Sequence, residues 1–331
     1  MNEGMYDLRP ARRAFSRVGF CLSSVLIIAT VVQLLALLVA ELVAGEDNWL
    51  STSSWGVWLL SGIPMYGIAI PLGLLFLRGV QSYEIERHKL PAKAFLVIVP
   101  VCFFFMYSGN LIGTFLSALL SGGTAENALT DLVMDNNPLK ILVIVVLAPL
   151  MEEFVCRKQI IDRTVVFGEK TAVVLSALAF GLLHQNLYQF FYAFGVGLVF
   201  GYVYVRTGRL RYTVILHAVI NFLGSVVAPW IVGMVDMEVL EALEAGASDA
   251  EALAMLAQIL PGLLLTSLYS MLQFGLAIAG LVLLLVNRKK LQWRWTIGQL
   301  PRGTVGKTVF GNAGMIVYTV LCLIMMVVAL L

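Results

Sequence analysis

The chain has 331 residues, 60% of them hydrophobic and only 13% charged, with a net charge of +2. A mean hydropathy of +0.90 excludes a water-soluble globular protein. The net charge of +2 says nothing about nucleic acid, but no basic patch interleaved with aromatics is present and no nucleic-acid partner is expected. Several apolar runs reach the ~20 residues a helix needs to cross a ~30 Å hydrocarbon core. In lipid the backbone must satisfy its own hydrogen bonds, and continuous rather than alternating apolar runs select helices over a barrel. The expected fold class is all-α: a polytopic membrane helical bundle in a lipid bilayer.

Nine spans are expected in chain order: Val18 to Ala44, Gly56 to Leu77, Ala94 to Leu120, Leu139 to Cys156, Thr171 to Leu187, Gln189 to Val205, Tyr212 to Val232, Pro261 to Val286 and Ala313 to Leu331. Arg9, Arg12, Arg13 and Arg17 precede the first, whose apolar run is too long for a cleaved signal and reads as an uncleaved helix. Pro64 and Pro71, among Gly62, Gly67 and Gly73, predict a kink in the second. The loops alternate in sign. The N-terminal arm and the segments 78–93, 157–170, 206–211 and 288–307 are basic, whereas 45–55, 121–138 and 236–251 are acidic. The alternation sets the N-terminus in the cytoplasm and the C-terminus outside.

The acidic stretch 236–251 reads as a solvated linker in preference to an amphipathic surface helix. Cys21, Cys102, Cys156 and Cys322 all lie in apolar runs and read as buried small hydrophobes. No internal repeat supports an inverted-repeat transporter. The chain thus divides into three N-terminal spans (1–138), a four-span core (139–227) and an acidic segment with two further spans (228–331).

Charge inside that core is the informative feature. Glu152, Glu153 and Arg157 end the fourth span, and a charge at bilayer depth costs roughly 2.5–3.5 kcal/mol on insertion scales, which makes it a functional hypothesis. Glu153 and Arg157 are i, i+4 neighbours able to form an ion pair, while Glu152 points about 100° away and is left to face something else. Pro149 lacks an N–H and frees a carbonyl, which can kink the helix and admit water. Phe180 with His184 and His217 with Asn221 add two more i, i+4 pairs on neighbouring spans. Each histidine alone reads as helix–helix hydrogen bonding; the conjunction with the glutamates reads as a site.

The chemistry open to these groups is hydrolysis. A carboxylate in a low-dielectric site is a competent base for water, His184 could hold the same water, and His217 with Asn221 could donate to an oxyanion. Alternatively, Glu152, His184 and His217 could bind Zn²⁺ with a fourth position open; no HExxH pair is present. Residue type does not choose between the two. An ion-coupled transporter and a non-catalytic scaffold or bacteriocin-immunity protein are the competing classes. One tension stands out: counted from the basic side, His184 lies about 20 Å up its span, whereas Glu152 lies near the end of its own.

These three pairings, in this order and spacing, resemble the motifs of the CAAX protease and bacteriocin-processing (CPBP) family, intramembrane endopeptidases related to the type II CAAX prenyl proteases. The connecting text from Gly195 through Gly201 and Arg206 to Gly208 agrees, and the resemblance covers about Leu139 to Val227. It implies peptide-bond hydrolysis within the membrane, with a peptide or membrane protein as substrate. It maps Glu152 as the water-activating base, Glu153 and Arg157 as its support, His184 beside the water, and His217 with Asn221 at the oxyanion. The family has been described both as zinc-dependent and as metal-free, and the metal-free form, without a cofactor, is favoured here. One departure is Lys158, where family members often carry glycine. The all-membrane form resembles bacterial members and implies a bacterial plasma membrane.

Overall fold

The computed structural model describes residues 7–127, 129–246 and 248–331. Among them no strand occurs, and the architecture is a polytopic helical membrane bundle. Nine helices correspond to the nine expected spans. They are α1 (Arg9–Ala44), α2 (Ser54–Leu77), α3 (Ala92–Ser121), α4 (141–164), α5 (Glu169–Leu183), α6 (Leu187–Thr207), α7 (Leu210–Val232), α8 (Asp249–Lys290) and α9 (Ala313–Val328). By length and composition α1, α2, α3, α6, α7 and α8 can each cross a membrane. The helices α5 and α9 have 15 and 16 residues, and α4 carries the charges.

Three boundaries differ from expectation. The first helix starts at Arg9 and not at Val18, so the basic arm forms its first turns. The fourth helix does not stop at Cys156 but runs on to Thr164. Its charged residues read as loop in the sequence, yet they are paired inside the bundle. Arg157 pairs with Glu153, Lys158 with Asp162 at 2.6 Å, and the Tyr204 hydroxyl donates to Asp162 at 2.9 Å. The acidic stretch is not a linker either. Asp236 caps a helix at Met237–Glu244, and α8 starts at Asp249 behind a Ser248–Glu251 capping box, twelve residues before Pro261.

Three of the helices widen into π turns just ahead of a proline. The stretches Ile63–Ala69, Ile141–Leu147 and Leu223–Val227 precede Pro71, Pro149 and Pro229. The N–H groups of Ile70, Ala148 and Ala228 each bond the carbonyl five residues back. A proline clashes with the carbonyl four residues behind it and cannot donate, so the helix opens by one residue on its N-terminal side. Widened turns of this kind recur at functional sites. A further π stretch, Phe154–Ile161, follows Glu153 directly.

The centre of the bundle is α6, packed on α3 and α5, while α3 also packs on α8, and α1 packs on α2 and α9. In lipid no hydrophobic drive pulls helices together, so close contact relies on small residues. At Gly109 of α3 an added Cβ would fall 2.3 Å from the Tyr192 nitrogen of α6, and at Gly280 of α8 one would fall 1.9 Å from the Pro100 carbonyl oxygen of α3. Both distances are impossible, so these helices touch backbone to backbone. Replacing Gly280 with Leu should therefore force α3 and α8 apart at a cost of order 1–3 kcal/mol. A thermal melt in detergent should show a lower midpoint; a midpoint equal to wild type would mean the helices slide freely past one another.

Candidate active site

The extension of α4 resolves the depth mismatch of the sequence. Glu152 lies twelve residues from Thr164, or ~18 Å along the helix, and His184 lies fifteen residues from Glu169, or ~22 Å. The two side chains therefore meet at similar depth. The first turn of α5 is fixed by Glu169, which pairs with Arg206 of α6 and accepts the Arg294 N–H at 2.7 Å. At its other end the chain reverses sharply. Gln185 takes a left-handed φ of 58°, and the Asn186 side chain caps α6 by accepting from the Gln189 N–H. His184 is held at this corner, just beyond the last residue of α5.

Glu153 and Arg157 divide from Glu152 as the helical spacing predicts. Both are fully buried, and Arg157 grips Glu153 through Nε to Oε2 at 2.9 Å and Nη2 to Oε1 at 3.2 Å. The remaining guanidinium nitrogen Nη1 donates to Ser176 Oγ at 2.7 Å, and the Ser176 hydroxyl donates to the Cys156 carbonyl. The Phe180 ring lies 5.0 Å from the guanidinium carbon, so this buried charge meets carboxylate, hydroxyl and aromatic face. Glu152 instead keeps 24% of its side chain exposed. It faces a cavity of about 610 Å³ that Phe180, His184, His217 and Asn221 also line.

His217 sits between the two glutamates. Its Nδ1 lies 3.3 Å from Glu153 Oε1 and its Nε2 lies 3.9 Å from Glu152 Oε2. A carboxylate accepts, so Nδ1–H donates to Glu153 and Nε2 is turned to the cavity. His184 Nδ1 lies 2.8 Å from the Phe180 carbonyl oxygen. A carbonyl only accepts, which places the proton on Nδ1 and leaves Nε2 free. The Phe180 ring stands edge-on to both imidazoles, at 5.1 Å from His184 and 5.5 Å from His217, and so fixes their planes.

Asn221 has a second task that follows from Pro149. In the π turn the Ala148 N–H is spent on Val143, and the next donor, which Ile144 would receive, belongs to Pro149 and does not exist. The orphaned Ile144 carbonyl instead accepts from Asn221 Nδ2 at 2.9 Å. This bond ties α7 to α4 and holds the amide at the cavity wall.

All the sequence-predicted residues thus come together in one place. Sequence reasoning misses Tyr66, whose hydroxyl donates to Glu152 Oε1 at 3.3 Å from α2. It also misses the far wall, to which α3 brings Tyr107 and Asn110 and α8 brings Gln273. A single tyrosine inside a proline-kinked span carries no motif, and its only signal is the kink itself. Among the described residues no group of three or more His, Cys, Asp or Glu side chains is placed so as to hold a metal ion.

Residues 135–223 match the family model of the type II CAAX prenyl endopeptidase Rce1-like proteins. The chain is also similar to a Bacillus subtilis (strain 168) protein described as "Putative membrane peptidase YdiL", with 26% identity over 160 residues, which is 45% of this chain and 63% of that protein. The chain therefore covers somewhat less than two thirds of that relative's length. No solved structure gives a significant match. The matched segment contains Glu152, Glu153, Arg157, Phe180, His184, His217 and Asn221 together, and over this segment the chain is similar to the Rce1-like endopeptidases.

Proposed function

We propose that this integral membrane protein is an intramembrane endopeptidase that hydrolyses a peptide bond by a metal-free mechanism centred on Glu152. The observation that carries this reading is the placement of His217 between two carboxylates, one locked against Arg157 and the other open to the cavity. Glu152 takes a proton from a water whose other hydrogen is received by His184 Nε2. The oxygen of that water attacks the peptide carbonyl carbon, and the carbonyl electron pair moves onto its oxygen. His217, through the Nε2 that faces the cavity, and the second Nδ2 hydrogen of Asn221 stabilise this oxyanion while His217 Nδ1 stays on Glu153. When the intermediate collapses the C–N bond breaks, and Glu152 returns its proton to the leaving amine.

The cavity wall favours a peptide as the molecule held there. Asn110, Gln189, Asn221 and Gln273 line it with amides, and each amide can both donate and accept. The Tyr107 hydroxyl donates to Gln273 Oε1 at 3.0 Å, and the Gln273 side chain also bonds Tyr269, so this amide is held at the wall. An extended backbone presents matching N–H and C=O groups every ~3.4 Å. The alternating loop charges favour a cytoplasmic N-terminus, and the similarity to a Bacillus subtilis protein favours a bacterial plasma membrane.

Cleavage of a peptide library by detergent-purified protein, with and without a chelator, tests the reading. Equal rates in the two samples are expected. Loss of activity on chelation that added Zn²⁺ restores would replace the metal-free scheme with a metal-dependent one.

A further inference from the structure

We propose that Tyr66 is a positioning residue for Glu152, contributed by a helix outside the family segment; the proposal rests on the Glu152-centred reading above. Glu152 has two carboxylate oxygens with different neighbours. Oε1 receives the Tyr66 hydroxyl at 3.3 Å, while Oε2 faces His217 Nε2 at 3.9 Å. Holding Oε1 leaves Oε2 as the oxygen that meets water in front of His217.

Glu152 needs holding because space lies on both sides of it. Besides the cavity of about 610 Å³, a chamber of about 70 Å³ lies toward α1, backed by Leu22, Val25 and Ile70. Tyr66, Glu152 and His184 line both spaces and form the partition between them. A glutamate side chain has three rotatable torsions, and nothing else described on α2 reaches its carboxylate. Without the hydroxyl, the carboxylate can swing toward the apolar chamber, away from His217.

The backbone of α2 is shaped for this contact. Tyr66 sits inside the π turn Ile63–Ala69 that Pro71 opens, and the matched family segment begins only at residue 135. The catalytic group and its holder therefore come from α4 and α2, 86 positions apart in the chain.

Replacing Tyr66 with Phe keeps the ring in the partition and removes only the hydroxyl. A hydrogen bond to a charged group is worth a factor of about ten to a hundred, so kcat should fall by that factor with KM and the melting midpoint close to wild type. In a Glu152→Asp background the shortened carboxylate no longer reaches the hydroxyl, and adding Tyr66→Phe should change nothing further. Wild-type kcat in Tyr66→Phe, or full additivity with Glu152→Asp, would overturn the proposal.

An infrared difference spectrum separates this idea from the activity on which it rests. The carboxylate band lost in Glu152→Gln should shift in Tyr66→Phe, with no substrate present. An unshifted band overturns the positioning role even in an active enzyme. A shifted band in a protein that cleaves nothing would retain the contact and reject the protease reading.

Discussion

Glu152→Gln is expected to abolish peptide cleavage, by at least the ~10²–10⁴-fold that a positioned general base contributes, while the protein stays folded and inserted. The substitution preserves shape and keeps a carbonyl oxygen able to accept from Tyr66. It removes only the group that can take a proton from water. Because a quarter of this side chain faces the cavity, no buried charge is left without a partner. Circular dichroism and the detergent melt should match wild type within error. A Glu152→Gln protein that cleaves at the wild-type rate would show that the base lies elsewhere.

The second large effect is on stability. Arg157→Met should destabilise the bundle by ~3–5 kcal/mol, the usual cost of stranding one partner of a buried ion pair. Glu153 is fully buried, and the two bonds from Arg157 hold both of its oxygens. Lysine is no substitute, because a point charge cannot make the forked pair or lie flat against Phe180. The double variant Glu153→Gln/Arg157→Met removes both charges and should recover much of the midpoint. It should nevertheless cleave poorly, because His217 Nδ1 loses its carboxylate. A single Arg157→Met protein that melts like wild type would mean that the pair does not lock α4.

Parts of this site are legible in the amino-acid sequence alone. Glu153 with Arg157 follows from four-residue spacing on a helix, and the division between Glu153 and Glu152 from the 100° turn between neighbours. Long apolar runs locate α1 to α9, six of which are long and apolar enough to cross a membrane. The charges after Cys156 mislead, since Lys158, Asp162 and Arg163 resemble a loop until Tyr204 and the rest of the bundle supply partners. That misreading alone creates the apparent depth mismatch between Glu152 and His184. The Asn221–Ile144 bond is half legible: Pro149 announces a freed carbonyl, but the π turn decides which carbonyl it is. Asn110 and Gln273 are not legible at all, and Tyr66 is signalled only by the kink around it, because the packing of α2, α3 and α8 brings them to residues far away in the chain.

The most direct measurement of the central claim is mass spectrometry of peptide fragments produced in H₂¹⁸O by purified wild-type and Glu152→Gln protein. Water activated by Glu152 should place one ¹⁸O in the carboxyl group newly formed at each wild-type cut, on the fragment N-terminal to that cut, and the variant should yield no such fragment. Labelled fragments appearing at equal rates in both samples, or no fragment from wild type, would contradict a Glu152-centred hydrolase.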